Sequence, residues 1–130
     1  MPAVLMHHAE DPRTVLQTQI GDLADVEVFG DDVLVAIYRR PEKTRGGIVL
    51  TDVTRGEDLY QGKTGLVVKM GPLAFKDEGL AHMKCDIGDW VVFRPADGWA
   101  CTLNNKEKVP MRVIRDALIR MRVTDPDAIY

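Results

Sequence analysis

Hydrophobic and polar positions divide the chain into one short helical pattern followed by a series of strand patterns. Asp11 to Gly21 reads as a helix: Asp11 can cap it, Pro12 sits in its first turn, and Gly21 can end it. Val15, Leu16 and Ile20 fall on one apolar stripe. A helix this short does not stand alone in water, so the stripe must dock on the rest of the chain, on a neighbouring copy or on another protein. From Val26 the period becomes that of strands. Val26–Phe29 leads to a turn-like break at Gly30-Asp31-Asp32. Val33 to Tyr38 is almost wholly apolar, which predicts a strand buried on both faces or near a subunit contact. Leu66 to Met70 is a second such strand, and Gly62 and Gly65 bracket its entry, where a small barrel must bend or bulge. Trp90–Phe93 and Trp99–Leu103 follow, with a hairpin turn at Asn104-Asn105-Lys106, where Asn is able to take positive φ. Val109 to Ile114 alternates around Pro110, which predicts an edge or a bulge. Ala117–Val123 is the last strand, and 124–130 forms a short tail. Short strands punctuated by Gly, Pro and Asn predict an all-β barrel or sandwich, without internal repeat or second domain.

Two connections stand out. Arg39 to Gly47 is polar and ends in Gly46-Gly47, a pair that restricts the backbone very little, and an apolar tripeptide, Ile48-Val49-Leu50, follows. On pattern alone this is most simply a loop leading into a core strand. The second reading on pattern, given less weight, is docking of an extended segment into a partner's groove, alternate side chains filling pockets. The second connection, Gly71 to Cys85, has no strong period but carries Leu73, Phe75, Leu80 and Met83. Either it packs under itself or it meets a partner.

Composition narrows the function classes. A length of 130 residues fits one domain. The net charge of −3, from 17 basic and 20 acidic side chains, argues against a general nucleic-acid binder. Arg112, Arg115, Arg120 and Arg122 cluster locally, which reads as a solvated edge. Cys85 and Cys101 form no CxxC pair and are expected as reduced thiols in an intracellular protein. Neither a signal peptide nor an apolar run of membrane-spanning length is seen, so no membrane partner is expected. His7-His8 lacks companion ligands, His82 is isolated, and Cys85 has no nearby histidine, so no metal site or nucleophile is expected. Gly46-Gly47 lacks the Lys-Ser/Thr of a phosphate loop. Asp31-Asp32 and the Asp86–Asp89 carboxylates belong to turns. Trp90 and Trp99 are core candidates, Trp99 also an interface candidate. We expect no enzyme and no cofactor.

Four stretches come in a familiar order and spacing: Val33-Leu34-Val35, Lys43 to Leu50, Gly62 to Gly71, and Ile87-Gly88-Asp89-Trp90-Val91-Val92-Phe93. Over about Val28 to Arg122 the chain resembles the GroES-like small co-chaperonins. The resemblance implies an all-β, GroES-like barrel over 26–123, an N-terminal arm at 1–25 that is not needed to build it, and a tail at 124–130. It implies that Gly46, Gly47, Ile48, Val49 and Leu50 form a mobile loop that binds a large, ATP-driven GroEL-like chaperonin. It implies that 71–85, with Leu73, Phe75, Leu80 and Met83, stands where the family carries a hairpin roofing the ring. It further implies that the last strand pairs with the first strand of the next subunit in a seven-membered ring, which puts Val33, Leu34, Leu118 and Ile119 at the subunit interface. Gly71 to Asp77 and Thr124 to Ile129 look more like the phage-encoded members. The leading expectation is therefore a cytoplasmic co-chaperonin, in the host cytoplasm if phage-encoded. The alternative is a decoration, cement or connector protein of a phage particle that reuses the fold and meets capsid or other virion proteins.

Overall fold

The computed structural model describes residues 10–39 and 63–129. Helix α1 spans Pro12–Ile20, and six strands follow: β1 Asp32–Ile37, β2 Thr64–Met70, β3 Trp90–Phe93, β4 Trp99–Thr102, β5 Pro110–Arg115 and β6 Ile119–Val123. All pairings are antiparallel, in the order β4-β5-β1-β2-β3-β6. The sheet must curl. β5 and β6 lie four strand spacings apart in that order, about 19 Å in a flat sheet. The link from Arg115 to Ile119 can span at most about 14 Å even fully extended, and Asp116–Leu118 is coiled into a 3₁₀ turn. The sheet therefore bends round until Ile114 of β5 and Ile119 of β6 enter the same core cluster, the shape of a small all-β barrel.

Successive strand side chains point to opposite faces, and here both faces are buried. Val33, Val35, Ile37, Val67, Val91 and Phe93 share one core with Phe75 and Cys85 of the 71–85 excursion. Leu34, Ala36, Tyr38, Leu66 and Trp90 share another with Leu16 and Ile20 of α1. This explains the unbroken apolar run of β1, all of which is buried from Val33 to Tyr38. A bulge interrupts the alternation in β2: Val35 faces Val67 but Leu34 faces Lys69, leaving Val68 extra. The added residue turns Lys69 onto the α1 face. There its ammonium donates to the carbonyls of Leu23 (2.7 Å) and Val26.

Several expectations are corrected. Val26–Phe29 is not a strand. Both edges of β1 are already taken by β2 and β5, and the Val26 carbonyl is spent on Lys69, so the segment cannot extend the ladder beside β1. β5 is not an edge: it lies between β4 and β1. Pro110 is tolerated because it is the first residue of the strand, where one missing N–H costs little. In the 103–109 turn the positive φ belongs to Lys108, not to an asparagine. Asn105 instead accepts the Lys108 N–H on its side-chain oxygen and donates its Nδ2 to the Gln19 carbonyl, tying the turn to α1. Val15 is half-exposed, so the helix stripe narrows to Leu16 and Ile20.

Candidate partner-docking site

The segment singled out for docking, Gly46, Gly47, Ile48, Val49 and Leu50, lies outside the described residues. Its two points of departure are described. Tyr38 ends the β1 side and Thr64 opens β2. They close the ladder with a hydrogen bond from the Tyr38 N–H to the Thr64 carbonyl at 2.9 Å. Tyr38 stands edge-on to Trp90, ring centroids 5.5 Å apart, and both are buried. The C-terminal residues return to this spot. Asp125 caps a 3₁₀ turn at Pro126–Ala128 by accepting from the Asp127 N–H, and Pro126 is buried there. The Tyr38 hydroxyl donates to Asp127 Oδ1 at 2.5 Å, and the Thr64 hydroxyl to the Ile129 carbonyl at 3.4 Å. Sequence reasoning missed this contact. Its signal was the Asp-Pro pair at 125–126, the same cap-then-proline signature that marks α1 at 11–12.

The 71–85 excursion has no hairpin; it holds a turn at 72–75 and a 3₁₀ helix at Glu78–Met83. Phe75 is buried in the core and Met83 packs against it. Leu80 is half-buried, and Leu73 is 61% exposed. Phe75 adopts φ 59°, a strained conformation for an aromatic residue. Its ring in the core holds it there, together with Asp116, whose buried carboxylate accepts the Phe75 N–H at 2.8 Å and the Ala117 N–H at 2.7 Å. Asp116 is a second residue that the sequence reading did not single out, since nothing beside it in the chain marks its partner at Phe75.

Of the proposed subunit-contact residues, Val33 and Ile119 are buried in one core with Leu118 half-buried against it, and Leu34 is buried in the other, the one that α1 covers. On the sheet's end strands two apolar side chains are exposed, Trp99 on β4 at 71% and Met121 on β6 at 46%, and Phe29, Leu73 and Ile87 are exposed in the connections. Three of the four clustered arginines have separate local partners. Arg112 donates to the carbonyls of Pro95 and Gly98, Arg115 pairs with Asp31, and Arg122 reaches the Lys84 carbonyl and Asp89.

Among the described residues no cluster of His, Cys, Asp or Glu could hold a metal ion, and no helix is long and apolar enough to cross a membrane. Cys85 and Cys101 are free thiols. Burial pushes the Cys85 thiol up, with Asp89 and Asp86 adding to the effect and Arg122 opposing it; burial likewise raises Cys101. Neither is therefore an activated nucleophile.

The described residues form a small curled sheet in which Tyr38 and Thr64, at the ends of β1 and β2, are bonded to one another and to the C-terminal turn. Comparison with known families matches the chaperonin 10 Kd subunit, Cpn10, over residues 25–115. The chain belongs to this family. The Cpn10 match takes in the whole β1–β2 connection and ends at the last residue of β5. Among curated Cpn10-type relatives, the protein named co-chaperonin GroES of Tetragenococcus halophilus is 39% identical over 71 residues, 54% of this chain and 71% of that protein. The one so named from Halothermothrix orenii is 31% identical over 85 residues, 65% of this chain and 85% of its own length.

Proposed function

We propose that this chain is a co-chaperonin. Copies of it assemble into a ring that caps a large, ATP-driven chaperonin of the GroEL type and assists protein folding in the cytoplasm. Each subunit presents Ile48-Val49-Leu50, hinged at Gly46-Gly47, to an apolar groove of the chaperonin. The observation that carries the reading is the Cpn10 match over 25–115, which embraces this motif, together with relatives that bear the name co-chaperonin. Several weak contacts acting at once give avidity while each remains reversible. ATP is bound and hydrolysed by the partner, and this chain contributes contact alone. A role in a phage particle drew on the N-terminal arm, the apolar excursion and the C-terminal tail. In the structure α1, Phe75 and Asp127 each pack on their own chain.

The test is Ile48→Asp, assayed with a purified bacterial large chaperonin and ATP. The variant should keep its circular dichroism and its oligomer size, and its capture by the chaperonin should weaken by a factor on the order of 10² or more, since every copy in the ring loses its contact. A variant that unfolds, loses its oligomer or still binds as tightly as the parent overturns the reading.

A further inference from the structure

The geometry points to the C-terminal turn as a clasp that holds together the two stems of the β1–β2 connection, with Asp127 and Tyr38 as positioning residues for partner capture. Tyr38 directly follows the last residue of β1, and Thr64 is the first residue of β2, so the two stand at the base of that connection. Each is also gripped by the tail: Tyr38 by the Asp127 carboxylate at 2.5 Å, Thr64 by the Ile129 carbonyl at 3.4 Å. These residues are 89 and 65 positions apart in sequence, so the contact is tertiary and serves no local turn. The turn that presents Asp127 is itself built for the purpose, capped by Asp125 and seated by the buried Pro126. A hydrogen bond to a charged carboxylate is among the stronger ones a side chain can make.

The clasp fixes the two points, Tyr38 and Thr64, from which the connection leaves the sheet. Stems that are already ordered lose less freedom when a partner is bound, so the clasp raises affinity by preorganisation rather than by contact. The binding half of this inference rests on the co-chaperonin reading; the existence of the clasp does not.

Tyr38→Phe is the primary test, because the ring keeps its place against Trp90 and only the hydroxyl is lost. Asp127→Asn is the second variant, and the double variant completes a cycle. Amide hydrogen exchange, followed residue by residue on the intact oligomer, should speed up about tenfold at Tyr38, whose N–H closes the ladder to Thr64, while the β3 amides stay unchanged. The double variant should exchange no faster than either single one. Capture by purified bacterial chaperonin with ATP should weaken by roughly three- to tenfold. Unchanged exchange at Tyr38 overturns the clasp. Faster exchange with unchanged capture, in a protein whose Ile48→Asp variant loses capture, overturns its role in binding. If Ile48→Asp itself still binds, the co-chaperonin reading and the binding role fall together, and the exchange result alone decides the clasp.

Discussion

Gly71 sits hard against the backbone ahead of β1. A Cβ there would lie 2.3 Å from the Gly30 carbonyl oxygen and 2.6 Å from that of Phe29. Both obstacles are backbone, and the Gly71 N–H is bonded to the Asp32 carbonyl at 2.8 Å, so neither chain can move aside cheaply. We expect Gly71→Ala to destabilise the fold by about 3 kcal/mol, the cost of forcing atoms into a filled site, read as a lowered urea midpoint with an unchanged m-value. Beside Pro72, Gly71 is legible in the sequence as the opening of a turn. The reason it must be glycine is not legible, because Phe29 and Gly30 are some forty residues away. Asp116 is similar. In sequence it is one of several aspartates near turns, and only its placement against the Phe75 N–H makes it the anchor of the 71–85 excursion.

Helix α1 was the most readable element. Its cap, its proline and its terminating glycine lie where the pattern placed them, because capping is local chemistry. Its partner was not readable, since an apolar stripe specifies that burial occurs but not against what. The structure answers with the chain's own sheet: Leu16 and Ile20 share a core with Trp90, Tyr38 and Leu66. We expect Leu16→Ala to cost about 2–3 kcal/mol, the low end for a buried leucine because the site lies at the margin of the core. The check is thermal unfolding followed by circular dichroism. We also expect the loss to appear in the exchange of β1 and β2 amides as well as those of α1, as a shared core requires. A loss confined to α1 would mean that the helix is an appendage.

Curling of the sheet puts the two cysteines into different surroundings. Cys85 is buried in the core that holds Phe93, and Cys101 lies half-buried beside the core that holds Trp90. Both should count as free thiols in denatured, unreduced protein, and zero free thiols would contradict this. In the folded protein at neutral pH, a maleimide should label Cys101 before Cys85. Burial raises the Cys85 pKa above its unfolded value. Whatever stability the protonated thiol contributes is therefore complete below about pH 8.5, and it is lost as the pH rises through the higher folded value. Labelling of Cys85 should accordingly begin at a more alkaline pH than that of a free cysteine. Cysteine number and spacing pointed to reduced thiols, but the order of reactivity depends on which face of the curled sheet each side chain meets.

The all-β class, helix α1, the cores of β1, β2 and β3, and the Gly46–Leu50 motif with its family can all be read from the chain as written. They rest on local rules: side-chain period, turn chemistry, capping, and motifs contiguous in sequence. What needed three dimensions is every feature that joins distant residues. The bulge at Val68 sends Lys69 to the α1 face, where parity alone would have sent it into the opposite core. Pro110 begins an interior strand, because strand order is set by the whole sheet. Tyr38 and Thr64 meet Asp127 and Ile129 because the end of β6 is brought to the base of the β1–β2 connection. A local pattern states what each residue prefers. Burial on two faces, curvature and the closing contact arise only when segments far apart in sequence compete for the same space.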